Sequence, residues 1–387
     1  MNKTLGAILL VSGTTIGAAM LALPVVAGLA GFLPTALLFI LFWAFMLFTA
    51  FLILEVNLWF PKSSNMISMA KSTLGSFGEM FSWLAYLYLL YALMTAYLAG
   101  SGPIVNDFID TAAGIDLPNW LGYTPLILLF LYFVIKGAHG VDAVNRWLMV
   151  ALTASFLLMV ALILPEIHLS SLVHADFKAL PLAISVTATS FGFHIIIPSL
   201  TTYLNRDIKE IKKALVIGSL IPLAAYLIWE AVSLGVIPLD TLAIAYKEGG
   251  NGARLLTETI DRPLIEMIAR AFAFFAIVTS FLGVSLSLAD CLADGLHMRK
   301  WGHPSWLVDV LTIVPPLAIV AVNPRAFLTA LEYAGTYGVI VLLCLMPALM
   351  VWRGRYVLKL KGDYEAPFGK AGLILTLIVS LAIIVLG

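Results

Sequence analysis

The chain has 387 residues, 61% of them hydrophobic and 11% charged, with 22 basic side chains against 22 acidic ones. Soluble domains carry about 25% charged residues, so this composition excludes a soluble globular chain and points to one domain, 1–387, built in a lipid bilayer. Zero net charge gives no argument for nucleic acid, and two cysteines, Cys291 and Cys344, give neither a disulfide framework nor metal-ligand spacing, so no metal and no cofactor is expected.

Apolar stretches of membrane-crossing length predict eleven helices, at roughly 5–30, 33–60, 78–103, 122–137, 146–165, 181–203, 213–236, 264–289, 306–322, 326–352 and 369–386. The first begins just after Met1-Asn2-Lys3 and exceeds the apolar core of a signal peptide, so it reads as an uncleaved span. Its middle, Val11-Ser-Gly-Thr-Thr-Ile-Gly-Ala-Ala-Met20, is small and polar, framed by Gly13 and Gly17. Lipid offers unpaired backbone groups no partner, so a break there must line an enclosed cavity. A second half-helix starting near Gly17 would aim free N–H groups and a partial positive charge into that cavity, a site for a carboxylate. The alternative is a continuous helix that uses Gly and Thr for close packing.

The second span carries Glu55 near its end. Two readings stand for it: a carboxyl that loads and releases a proton, or an acid at the membrane interface that caps a neighbouring helix. The sixth span has a polar centre, Thr187-Ala-Thr-Ser190-Phe191-Gly192-Phe193-His194, followed by Pro198. Proline removes a backbone donor one turn on, so this span reads as a second interrupted helix. His194 is a further proton candidate, its alternative a neutral histidine hydrogen-bonded to a freed carbonyl. Between the seventh and eighth spans, residues 237–262 are mostly polar with three glycines; they read as a lid or as an ordinary connector.

Charge fixes the expected orientation. With the N-terminus cytoplasmic, the outer loops hold five basic residues, Lys178, Lys247, Arg254, Arg262 and Arg325, and the inner segments sixteen. The outer loop 103–121 has three aspartates, one of them Asp116, and no Lys or Arg. This bias places the N-terminus inside and, with an odd number of spans, the C-terminus outside. Spans 6–10 then enter the membrane in the opposite sense to spans 1–5, and each set opens with an interrupted helix. That is the inverted-repeat plan of secondary transporters, with repeats over about 5–165 and 181–352 and an extra helix at 369–386. Substrate is expected where the two breaks meet.

At these residues the chain resembles the hydroxy/aromatic amino acid permease family of bacteria. The shared wording is Gly13-Thr-Thr-Ile-Gly17, Met20-Leu-Ala-Leu-Pro24, Leu54-Glu55-Val56-Asn57 and Tyr91-Ala-Leu-Met-Thr-Ala-Tyr97. It continues as Ser190-Phe-Gly-Phe-His194, Thr279-Ser-Phe-Leu-Gly-Val284 and Glu332-Tyr-Ala-Gly335. Within the family the Phe-Gly-Phe-His wording is most like the tyrosine-specific permeases. Departures are Ala18-Ala19, where relatives read Ala-Gly, and Leu286-Ser-Leu-Ala-Asp290, whose first part differs from the usual Gly-Leu-Phe-Asp. The resemblance implies an inner-membrane transporter of the leucine-transporter fold that imports its substrate with protons.

A zwitterionic amino acid needs donors for its carboxylate and acceptors for its ammonium. The backbone of Gly13, Thr14, Thr15, Ile16 and Gly17 and the carbonyls around Ser190, Phe191 and Gly192 would supply both, with no charged side chain. An aromatic substrate needs an apolar slot, for which Phe191, Phe193 and Phe281 are candidate walls and Tyr91 a polar contact. In a chain with 22 Phe and 13 Tyr a single aromatic more often has a lipid-facing or core role, and Phe191 and Phe193 stand out because they flank the break. Sodium is the rival coupling ion: Ala276, Thr279 and Ser280 have the spacing of the sodium site in leucine-transporter relatives, although Thr and Ser also join membrane helices. Asp290 and Asp294, one helical turn apart, read as solvated interface charges, with a metal pair as the alternative. The expected activity is proton-driven import of tyrosine or another aromatic amino acid. The alternatives are a tryptophan or small hydroxy amino acid cargo, sodium coupling, or an intramembrane enzyme using Glu55, His194, Asp290 and Asp294.

Overall fold

The structure, a computed structural model, describes residues 3–61, 64–114, 119–136, 138–296 and 306–386. Lys62, Asp116, Arg299 and Lys300 of the charge map lie outside them. Among the described residues every regular element is a helix. In chain order these are α1 Lys3–Thr15, α2 Ala19–Ala27, α3 Phe32–Trp59, α4 Met66–Ala113, α5 Asn119–Gly122 and α6 Thr124–Lys136. They continue as α7 Ala138–Ile163, α8 Pro181–Ser190, α9 Ile197–Tyr203, α10 Ile208–Val236, α11 Leu239–Glu248 and α12 Gly252–Thr259. The last are α13 Pro263–Gly295, α14 Trp306–Val322, α15 Ala326–Tyr333, α16 Met346–Tyr356 and α17 Gly369–Leu386, with the π-type turns of Ala334–Leu345 joining α15 to α16.

Among the described residues seven helical stretches are long and apolar enough to cross a membrane, and the bent pair α1–α2 makes an eighth. The helices α6, α14 and α17 are apolar but shorter, with 13, 17 and 18 residues. Length and composition therefore establish up to eight crossings among the described residues, and α6, α14 and α17 are the helices by which the expected eleven exceeds them. One cluster of buried side chains joins α2, α4, α8, α13 and α15 with the middle of α10. A second joins α1, the end of α3, α9, the start of α10, α16 and α17. The two breaks lie where these clusters meet. At Gly75 in α4 the backbone takes φ 80° and ψ −168°, a conformation glycine adopts without steric cost, and the chain turns there into a helix that runs to Ala113.

Prolines inside the spans explain several contacts between helices. A proline leaves the carbonyl four residues earlier without its helical donor, and lipid cannot supply another. Pro24 frees Met20 O, which accepts from Trp229 Nε1 at 2.9 Å. Pro222 frees Gly218 O, which lies 2.9 Å from Ser12 Oγ and shares that hydroxyl's one proton with Ile8 O at the same distance. Pro315 frees Leu311 O, which accepts from Tyr91 Oη at 2.8 Å. Each bond ties the kinked helix to another. Residues 237–262 form α11 and α12, which pack on α2, with α12 also on α10 and α13, and bury Leu242, Ala245, Leu255 and Leu256. They cover the first span at the end of the bundle that carries the Glu166–Arg262 ion pair (2.7 Å).

Candidate functional site

The first break spans Ile16–Ala18, where α1 and α2 diverge by 55°. Ile16 N–H still closes the last turn of α1 on Ser12 O at 2.9 Å. Ala18 N–H instead leaves the helix and donates to Ser280 Oγ of α13 at 2.9 Å. Met20 and Leu21 open α2 with tight bonds to Gly17 O and Ala18 O, at 3.1 and 3.0 Å. Glycine is required at 17 by close approach, since a methyl there would fall on Ser280 Oγ. Thr14 is exposed, Gly13, Ile16 and Gly17 are half-buried, and Gly283 of α13 is exposed. The break thus keeps accessible surface in the middle of its span.

The second break is an unwinding without a comparable bend, and Pro181–Tyr203 runs through as one 23-residue span. α8 stops at Ser190; Phe191 and Phe193 leave helical geometry with φ −103° and −98° and ψ near zero. Pro198 lies in the first turn of α9, where a missing N–H costs nothing. It starts the second half-helix rather than bending a continuous one.

The last carbonyls of a helix lack intrahelical donors, and here two such ends meet. Tyr226 Oη of α10 lies 2.8 Å from Thr15 O and 2.9 Å from Ser190 O. A phenol carries one proton, so the two carbonyls share a single donor. Phe191 packs edge-on against the same ring at 5.3 Å, and Phe39 of α3 approaches both rings at about 6.5 Å. Phe191 is therefore an aromatic wall at the junction. Phe193 belongs to the other cluster and stacks on His194 at 5.1 Å. The two phenylalanines flanking Gly192 face opposite halves of the molecule. Phe281 is fully buried in the first cluster.

The remaining predicted residues are engaged elsewhere. The Tyr91 hydroxyl is taken by Leu311 O. Glu55 lies in a buried ion pair: Arg355 grips it through Nε (2.6 Å to Oε1) and Nη2, and Ala366 N–H adds a third bond at 2.7 Å. His194 Nε2 and Thr49 Oγ1 are hydrogen-bonded at 2.8 Å, and Thr49 Oγ1 also lies 3.0 Å from Met46 O. His194 Nδ1 has no partner, so a second ring proton would find no acceptor, the setting of a neutral histidine. Ala276 is buried, Thr279 turns its hydroxyl to Phe275 O and Ala276 O, and Ser280 holds the break. Asp290 is half-buried and Asp294 exposed. Among the described residues no three His, Cys, Asp or Glu side chains cluster to hold a metal.

Two helices are thus interrupted at mid-span, and their free carbonyls meet at one hydroxyl beside an accessible backbone turn. The model of the tryptophan/tyrosine permease family matches residues 1–387. The chain belongs to that family. This permease is similar to the tyrosine-specific transport systems 1 and 2 of Haemophilus influenzae, 34% and 30% identical over 100% of the chain and 96% of each relative. It is also similar to the tryptophan-specific transport protein of Pseudomonas aeruginosa, 30% identical over 86% of the chain and 82% of the relative. A permease moves its substrate unchanged, so the chain is a multi-pass membrane transporter and not an enzyme.

Three residues that sequence motifs did not mark belong to this permease's junction or its supports. Tyr226 joins the breaks, and nothing in its local sequence separates it from the other tyrosines. Arg355 neutralises Glu55 from 300 positions away. Glu230, inside span 213–236, is fully buried, and neither carboxyl oxygen has a hydrogen-bond partner. An acid within a membrane span is itself a signal; the span has no break to draw the eye to it.

Proposed function

We propose that this permease imports tyrosine, with other aromatic amino acids as weaker cargoes, by proton symport across a bacterial inner membrane. The reading has eleven spans, the inverted repeats and leucine-transporter-like plan set out above, a cytoplasmic N-terminus and an external C-terminus. The observation that carries it is the meeting of Thr15 O and Ser190 O at the Tyr226 hydroxyl. A substrate ammonium arriving there finds two carbonyl acceptors served by one proton. Its carboxylate meets the accessible turn from Gly13 to Gly17, at the positive end of α2. Phe191 offers the aromatic face, Gly192 lies within the second break, and Phe281 follows Ser280, which holds Ala18 N–H of the first. The names of the two relatives at 34% and 30% identity over 100% of the chain support tyrosine.

Glu55 and His194 enter this proposal as supports of the junction. Proton movement through Glu55 requires the Arg355 pair to open first, and through His194 a protonated Nδ1 with no acceptor. Ala276, Thr279 and Ser280 remain the residues that sodium would use, and Ser280 must release Ala18 N–H to do so.

The test is uptake of labelled tyrosine by purified protein in liposomes, driven by an inward proton gradient or by sodium alone. Proton-driven accumulation that excess tryptophan or phenylalanine blocks and serine does not is the expected result. Accumulation on sodium alone overturns the coupling; block by serine but not by aromatics overturns the cargo. A tryptophan cargo is a rival with an observation behind it, the similarity to tryptophan-specific relatives, and direct uptake of labelled tryptophan exceeding that of tyrosine would establish it.

A further inference from the structure

The symport reading leaves open which group carries the proton. Glu230 differs from every other buried acid of the described chain. Glu55 is as deeply buried but is held by Arg355 and Ala366 N–H. Glu230 is 0% exposed and neither of its oxygens has any partner.

The charged groups on the elements packed against α10 do not reach it. Those elements are α1, α2, α3, α7, α12 and the turns at Leu164–Glu166 and Leu169–Val173, with α8 touching it through Ser190 O and α13 through Phe272. Their described charged side chains are Lys3, Glu55, Arg146, Glu166, Arg254, Glu258, Glu266, Arg270, Asp290 and Asp294. Glu55 pairs with Arg355, Arg254 with Glu258, Glu166 with Arg262 and Arg270 with Glu266. Asp290 and Asp294 lie 18 and 22 residues beyond Phe272 along α13, about 27 Å or more away. Lys3 sits beside Thr4, whose hydroxyl bonds Glu210 at the far end of α10, some 20 residues or about 30 Å away along the helix. Arg146 is exposed near the start of α7. A lone carboxylate in such surroundings is too costly to persist, so the resident form is the neutral acid. The charged form belongs to a state in which water reaches the group.

Position connects that exchange to the substrate junction. Tyr226, Glu230 and Ser233 follow one another on one stripe of α10, spaced four and three residues. Ser233 Oγ is likewise buried and without a partner. Tyr226 holds Thr15 O and Ser190 O, and Trp229, beside Glu230, holds Met20 O. Any shift of α10 that opens Glu230 to water moves donors that fasten both broken helices.

We propose that Glu230 is the proton-carrying carboxyl of the permease. It takes one proton from water on the outer side, stays neutral while the site is closed, and returns that proton to water on the inner side. This rests on the symport reading above. The experiment compares the unaltered protein with Glu230→Gln and Glu230→Asp in liposomes. It reads tyrosine accumulation on a proton gradient and tyrosine counterflow without one. The infrared C=O band of a buried carboxylic acid is recorded on the same samples. Glu230→Gln is expected to lose gradient-driven accumulation, to lose less of counterflow, and to lack the band; Glu230→Asp is expected to recover part of the accumulation. Gradient-driven accumulation in Glu230→Gln equal to that of the unaltered protein overturns the assignment. So does an unchanged infrared band in Glu230→Gln, even where that variant also loses counterflow. If the unaltered protein accumulates tyrosine on sodium alone, the symport reading fails first and the role of Glu230 falls with it, whatever the variants do.

Discussion

At the scale of single residues, the junction depends on how few donors serve how many acceptors. Tyr226→Phe removes the proton shared by Thr15 O and Ser190 O and changes almost nothing in volume. Leaving a buried acceptor unmade costs about 1–3 kcal/mol. The variant is expected to melt lower in detergent and to take up tyrosine at a rate reduced about tenfold, the kinetic equivalent of roughly 1.4 kcal/mol. Unchanged melting and uptake together would show that the bridge carries no weight. Around Glu55 the question is electrostatic. Tyr364, in the segment 357–368 beside the Glu55–Arg355 pair, has its hydroxyl pushed up from 10.0 to about 12, first by burial and then by the Glu55 carboxylate. A raised pKa means that the folded state keeps its proton where the unfolded chain loses it. The Tyr364 contribution is therefore fully present below about pH 10 and is lost as pH rises towards 12. Melting of the unaltered protein should fall more steeply across that interval than melting of Tyr364→Phe. Parallel slopes would remove Tyr364 from the account.

Helices obey a simpler rule: every backbone group freed inside a span must be satisfied by another span. Pro24, Pro222 and Pro315 each free one carbonyl, and Trp229, Ser12 and Tyr91 take them. This yields a double-mutant prediction. Trp229→Phe in the native background leaves Met20 O without a donor, whereas Pro24→Ala restores a helical N–H to that carbonyl. The cost of Trp229→Phe should fall by about 1 kcal/mol in the Pro24→Ala background. Equal costs in both backgrounds would mean that the indole packs there for volume alone. The same rule explains what was legible in sequence. Break one was readable because Gly13, Gly17 and two threonines sit where only leucine-like residues belong. Break two was readable from Ser190 to Pro198, although the proline proved to start α9 instead of kinking it. The placement of Phe193 against Phe191 was not readable, because an unwound segment does not announce which way successive side chains turn. Tyr91 bears a family motif, yet its hydroxyl is drawn to a carbonyl that a proline 224 positions later sets free. Such pairings are tertiary, and no local pattern encodes them.

For the whole molecule, orientation and span count are one problem of parity. The charge bias puts residues 166–180 and 237–262 outside and 353–368 inside, provided the short helices α6 and α14 both cross. At 1.5 Å per residue α14 measures about 26 Å and α6 about 20 Å, against a hydrocarbon core of about 30 Å. α14 needs only slight thinning of the bilayer, whereas α6 needs more, or extension through its flanks. If α14 failed to cross, every segment after it would change sides. The two native cysteines, Cys291 and Cys344, are buried, so they provide a quiet background for labelling. Lys178, Lys247 and Lys361 are exposed. Single replacements Lys178→Cys, Lys247→Cys and Lys361→Cys can be treated with a membrane-impermeant maleimide, in whole cells and in inverted vesicles. The expected pattern is labelling at 178 and 247 in cells and at 361 only in inverted vesicles. Labelling at 361 in cells, with 247 also labelled, would mean that α14 lies along the membrane or folds back. Labelling at 361 alone in cells would reverse the molecule. A reversed molecule would turn α11 and α12 from an external cover over the first span into an internal one. The covered end would then be the exit for an imported amino acid, and the proposed import direction would have to be abandoned.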